Sequence, residues 1–131
     1  MISTKEYIKA TSVSHAISLA NANDGCFRYL AGGTDVMANK FQGNDETSLL
    51  IDISELKALK EVYTTESHLV IGAMVCLDDI KNHPLIAVHF PSLAAAANAV
   101  ASPTIRKTAT FGGNLLCENR CIYSHTSSNF V

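Results

Sequence analysis

The chain has 131 residues, 47% of them hydrophobic and 17% charged, with a formal net charge of −2. That length suits one domain with a real core, and the charge balance excludes the basic stripe of a nucleic-acid binder and the polybasic segment of a membrane-surface protein. No apolar run reaches the roughly 20 residues that cross a bilayer, and Met1 to Glu6 show no signal-peptide core, so a cytoplasmic protein is expected.

Glu6 to Ala10 has the residues of a short strand. Ser12 is a candidate N-cap, with Val13, Ala16, Ile17 and Ala20 following at helical spacing. Asn23-Asp24-Gly25 ends that helix in a turn. Cys26 to Ala31 is expected to be a buried strand, broken by Gly32-Gly33. Thr34 or Asp35 then caps a second helix that carries Val36, Met37 and Phe41. Past a loop at Gly43-Asn44-Asp45, Leu49 to Ile53 is an apolar strand interrupted by Asp52. This alternation of strand and helix predicts a small parallel or mixed sheet.

The second half changes character. Leu59 to Thr64 and His68 to Ile71 are expected to pair around a turn at Thr65-Glu66-Ser67. Cys76 to Asn82 forms a short helix that stops before Pro84. Pro91 starts a longer helix running to about Ser102-Pro103, and its alanines allow close packing. Thr108 to Leu115 is expected to return to strand, turn and a polar segment. The fold class is α+β in two lobes, with a glycine loop in each.

The glycine pairs are the chemical signal. Leu30-Ala31-Gly32-Gly33-Thr34-Asp35 and Thr110-Phe111-Gly112-Gly113-Asn114 each follow an apolar or β-prone run. Glycine lets backbone N–H groups come close to a ligand, and such groups in a turn or at a helix start suit phosphate. Two such loops can hold a diphosphate between them, with Thr34, Thr110 and Asn114 adding hydroxyl and amide bonds. Neither is a Walker A loop or a GxGxxG fingerprint, and two purely structural turns are the other reading. Asp35 either caps its helix, the default, or meets a cofactor hydroxyl. Arg106 and Lys107 either offset phosphate charge or, by default, are solvated surface. Cys26 and Cys76 are expected to be buried thiols, and Cys117 and Cys121 to be exposed; no zinc ligand set is present and the histidines are scattered. With no nucleophile elbow and no paired catalytic carboxylates, any chemistry falls to a bound cofactor.

Several runs resemble one family in order. Leu30-Ala31-Gly32-Gly33-Thr34-Asp35-Val36 resembles the first flavin loop of the FAD-binding subunit of molybdenum hydroxylases, the xanthine dehydrogenase family. Leu50-Ile51-Asp52-Ile53-Ser54, Leu69-Val70-Ile71-Gly72-Ala73, Phe90-Pro91-Ser92-Leu93 and Ala101-Ser102-Pro103-Thr104-Ile105-Arg106 continue the match. Ala109-Thr110-Phe111-Gly112-Gly113-Asn114-Leu115 resembles the second flavin loop. The resemblance implies a two-lobed FAD-binding domain over residues 1–131, with a small βαβ lobe at about 1–57 and a larger, incomplete mixed α/β lobe at 58–131. It assigns Ala31, Gly32, Gly33, Thr34 and Asp35 to one wall of the FAD site, and Thr110, Gly112, Gly113 and Asn114 to the other. It implies a molybdopterin-containing large subunit and a 2Fe-2S small subunit as partners. The tail around Arg120-Cys121 resembles the 4-hydroxybenzoyl-CoA reductase type, in which Cys121 matches one ligand of a 4Fe-4S cluster, the other ligands lying further on.

The chain departs from the family pattern at Phe111, where a smaller aliphatic residue is usual, and at Lys107, where Asn is common. It also stops where the family continues. The function implied is electron transfer through FAD within a molybdenum-containing hydroxylase or dehydrogenase. A non-catalytic remnant or assembly module that keeps the fold and partner surface is the alternative, and a general nucleotide-phosphate binder a third.

Overall fold

The computed structural model describes residues 6–117. Its first half is built on β3 (Leu49–Asp52), whose four residues are all buried. Strands β1 (Glu6–Lys9) and β2 (Phe27–Leu30) flank it, both parallel to it, with Glu6 and Phe27 each in register with Leu49. Successive strand side chains point to opposite faces of the sheet, so four buried residues in a row mean that both faces are covered, which is why its sequence is the most continuous apolar run of this half. The β2 strand was expected to be buried, but as an edge strand it leaves Arg28, Tyr29 and the preceding Cys26 exposed.

Helix α1 (Val13–Ala22) starts as its sequence demands: Ser12 Oγ accepts from the His15 N–H at 3.0 Å. Ala16 and Ala20, one turn apart, pack with Ala10, Leu49, Ile51 and Leu56 in the first core. Helix α2 (Val36–Gln42) differs from its expected form in two ways. Asp35 stands at the cap position without a side-chain capping bond, its carboxylate accepting instead from Asn39 Nδ2 at 3.0 Å. Met37 and Phe41 face outward, and the residue that turns inward is Lys40, with no exposed side-chain surface. Its ammonium donates to the Thr47 carbonyl at 2.5 Å and to Thr47 Oγ1 at 3.1 Å, and lies 3.8 Å from the Asp45 carboxylate. Asp45 in turn accepts from the Thr47 N–H and hydroxyl. A charge can be buried when its donors are satisfied in this way, and this one ties α2 to the loop that leads into β3.

The chain then forms a 3-10 turn at Lys57–Leu59 and an antiparallel hairpin of β4 (Val62–Thr64) and β5 (Leu69–Ile71). Helix α3 (Leu77–Asn82) stops before Pro84 as expected. Pro84 also opens α4 (Pro84–His89), a helix absent from the sequence expectation, because a residue that ends one helix is suited to the first turn of the next. Helix α5 (Pro91–Ala99) is shorter than expected, since Ala101 turns the chain with φ +45° before α6 (Pro103–Arg106). Arg106, expected at the surface, is buried, and its Nη1 donates to the carbonyls of Val100 at 2.8 Å and Ala101 at 3.1 Å. The side chain thereby closes the end of α5 and fixes the left-handed turn. A second core gathers Val75, Leu77, Ile80, Ile86, Ala97 and Ala109.

Two outcomes follow. Lys40→Met leaves the Thr47 carbonyl without its buried donor and takes one of two cations from Asp45, which keeps Arg28, and urea unfolding should show a loss of about 3 kcal/mol; an unchanged midpoint would contradict the role given to Lys40. The second outcome concerns acid. Burial pushes the Asp52 carboxyl up, but hydrogen bonds from the Tyr7 hydroxyl and from Ser54 outweigh it and hold the group below the usual carboxylate range. For Asp45, burial is likewise outweighed by Thr47, Arg28 and Lys40. A lowered folded-state value adds stability above the unfolded value of about 4, and that stability is lost as pH falls through the folded value. Unfolding free energy measured against pH should therefore fall on the acid side, and Asp52→Asn should make that limb shallower.

Candidate functional site

The first glycine loop leaves the carboxyl end of β2. The Ile53 N–H donates to the Leu30 carbonyl at 3.0 Å, so the chain ends of β2 and β3 leave the sheet side by side and put Ala31 and Ser54 into one cleft. Openings of this kind, beyond the carboxyl ends of parallel strands, are where open α/β sheets bind ligands. Asp52, the last residue of β3, steadies the exit: its carboxylate accepts from the Tyr7 hydroxyl and, at 2.7 Å, from the Ser54 N–H.

Gly32 brings the two loops together. A Cβ built on it would stand 1.9 Å from the Thr108 carbonyl oxygen and 2.8 Å from the Thr108 carbonyl carbon. Any side chain here forces backbone apart, so the requirement for glycine at this position comes from chain packed on chain. Gly33 follows at φ +73°. Among the described residues, the N–H groups of Gly32, Gly33 and Thr34 donate to no acceptor.

The second loop differs from its sequence expectation. Thr108 to Leu115 is not a strand and turn; after a single bridge between Thr110 and Cys76, the chain enters a short helix, α7 (Phe111–Leu115), with both glycines inside it. Thr110 is its N-cap, and the side-chain oxygen accepts from the Gly113 N–H at 3.2 Å. The Phe111 N–H donates to the Val75 carbonyl and the Gly112 N–H to the Ala73 carbonyl, each at 2.8 Å. A Cβ on Gly112 would lie 2.7 Å from the Ala73 Cβ, so this glycine too serves a close approach within the protein. The amides of Gly112 and Gly113 are thus already engaged.

Of the site residues read from the sequence, Ala31, Gly32 and Thr110 line the cleft. Gly33, Thr34, Asp35, Gly112, Gly113 and Asn114 are not among the residues that line it. Lys107, expected at the surface, is exposed and lines it as well. Sequence reasoning missed Ser54, Lys60, Cys76 and Asp79 in the lining. Cys76 was readable only as a buried thiol, and its place follows from the bridge to Thr110, a contact between distant residues. It is half-buried; burial and the Asp79 carboxylate push its thiol up, against the ammonium of Lys60. Among the described residues no group of three His, Cys, Asp or Glu side chains is placed to hold a metal, and Cys121 lies outside those residues. No helix among them is long and apolar enough to cross a membrane.

Residues 3–130 match the family described as FAD binding domain in molybdopterin dehydrogenase. The chain is 34% identical over 116 residues to the xanthine dehydrogenase FAD-binding subunit of Escherichia coli O157:H7, covering 88% of this chain and 39% of that protein. It is 40% identical over 86 residues to the nicotinate dehydrogenase FAD-subunit of Eubacterium barkeri, covering 66% of this chain and 29% of that one. In structure it resembles carbon monoxide dehydrogenase from Hydrogenophaga pseudoflava, with a TM-score of 0.84 and 30% identity over 88% of this chain and 40% of the other. The chain therefore spans about two fifths of the length of the xanthine dehydrogenase relative. With a matching α+β fold and a family match over nearly its whole length, this chain belongs to the FAD-binding domain family of the molybdopterin dehydrogenases, and FAD is the cofactor that defines that family.

Proposed function

We propose that the chain holds FAD in the cleft between its glycine loops, as the flavin part of a molybdenum-containing hydroxylase or dehydrogenase. The observation that carries this reading is the seat of Gly32 on Thr108, which brings the first loop, with its N–H groups unbonded among the described residues, to a cleft lined by Ala31, Gly32 and Thr110. Three free amides and an adjacent hydroxyl fit the oxygens of a diphosphate. Ala31, Gly32, Gly33, Thr34 and Asp35 make the first wall. Thr110, Gly112, Gly113 and Asn114 make the second, where the glycines contribute shape and Thr110 and Asn114 contribute polar atoms. The binding unit is residues 1–131, with lobes at about 1–57 and 58–131. FAD, when bound, supplies one- and two-electron transfer; the protein positions it and neutralises its phosphate charge.

The partners in this reading are a molybdopterin-containing large subunit and a 2Fe-2S small subunit, in the cytoplasm, as for a xanthine dehydrogenase or 4-hydroxybenzoyl-CoA reductase. A 4Fe-4S cluster takes four thiolates; Cys121 would be one of them only together with ligands in a full-length form, so the reading stands on FAD. A non-catalytic assembly module is the second reading. The outward-facing Phe41 and Leu116, 79% and 86% exposed, favour it by offering apolar surface to a partner.

FAD titration of the purified chain, followed by flavin fluorescence, separates the two. The flavin reading expects saturable quenching, with at least a tenfold loss of affinity in Gly32→Asp, which puts a carboxylate and a backbone clash at the loop contact. A chain shown folded by circular dichroism that leaves FAD fluorescence unchanged would overturn the flavin reading and leave the assembly module.

A further inference from the structure

A diphosphate brings its negative charge against two walls that are not alike. Among the described residues the first wall has free N–H groups at Gly32, Gly33 and Thr34, whereas the second has given the Gly112 N–H to Ala73 and the Gly113 N–H to Thr110. Compensation on the second side has to come from side chains. Two cations line the cleft there: Lys60, just after the 3-10 turn, and Lys107, the residue before Thr108. Among the described residues neither ammonium group has an ion pair or a hydrogen bond, while Lys9, Lys40 and Lys81 are paired with Glu55, Asp45 and Asp78. Asp79, the carboxylate of the lining, leaves the two lysines in excess over it. Cations without partners, facing a cleft on a protein of net charge −2, form a local field that runs against the overall charge.

We propose that Lys60 and Lys107 are the diphosphate-selecting residues of this cleft, contacting its phosphate oxygens and favouring a nucleoside diphosphate or dinucleotide over an uncharged flavin or nucleoside. The inference rests on the FAD reading above and names the charged groups that reading lacks. Lys60 sits at the end of a short turn and Lys107 at the end of α6, so the two approach from segments far apart in sequence. The Gly32–Thr108 contact carries Lys107 to the cleft, and the bonds of the Met74 N–H to the Leu59 carbonyl and of the Gly72 N–H to the Glu61 carbonyl, each at 2.8 Å, hold the residues on either side of Lys60.

The test is titration of the full chain with FAD and with ADP, at low and at high salt, for the wild type, Lys60→Met, Lys107→Met and the double variant, with Lys57→Met as a control outside the lining. The expected result is a loss of about tenfold in affinity for both ligands in the double variant at low salt, a weaker salt dependence than in the wild type, and no change in the control. Both lysines are exposed, so the circular dichroism spectra should coincide. A double variant that binds FAD and ADP as the wild type does, with the same salt dependence, would overturn the role of the lysines and leave the FAD reading in place. A folded wild type that binds neither ligand would overturn both.

Discussion

The cleft depends on backbone packed against backbone: Gly32 lies against the Thr108 carbonyl, and Gly72 against the Leu59 carbonyl beside Lys60. Each half of the chain has its own core, one around Ile51 and one around Ile80. The two loops meet at the edge of the second core, where buried Ala109 follows Thr108 and also lies close to Gly32. The missing Cβ at Gly32 lets the end of β2 press onto the residues before α7, and the space left beside that contact is the cleft. Because the gap that a Cβ would occupy is already closed by protein, the tolerance at this position is set by sterics, before any ligand is considered.

The two glycine pairs look alike in sequence and do different work. Among the described residues the first leaves three N–H groups without acceptors, and the second spends its N–H groups on Ala73 and on the Thr110 cap. An N–H bonded inside the protein cannot also meet a phosphate without giving up its partner. The second wall therefore supports the site by holding Thr110 in place and by packing Gly112 against Ala73. Buried polar contacts elsewhere serve the same geometry: Asp52 steadies the exit from β3 through Tyr7 and Ser54, and Arg106 closes the turn at Ala101 that leads into α6.

Much of the architecture was legible in local signals. The unbroken apolar run of β3, the Ser12 cap of α1, the hairpin around Thr65 to Ser67 and the stop before Pro84 all follow from chemistry within a few residues. What was not legible depends on distant contacts. Lys40 is a surface residue by type, and only the Thr47 carbonyl and Asp45 make its burial tolerable. Cys26 looks apolar in its setting but lies beside an edge strand. A glycine pair is a poor helix former, so α7 exists because Thr110 caps it and Val75 and Ala73 hold its first amides. Both glycine loops could be found in the sequence, but not that Gly112 and Gly113 are occupied, nor that Lys60 and Cys76 share the cleft.

Among the described residues the first loop has free amides, and the glycine amides of the second are bonded. Backbone amide NMR shifts of the chain, followed as FAD is added, test it most directly. The amides of Gly32, Gly33 and Thr34 should move most, and the Gly112 amide, held by Ala73, should keep its bonded character. A first loop that stays unchanged while the Gly112 and Gly113 amides respond to the ligand would contradict it.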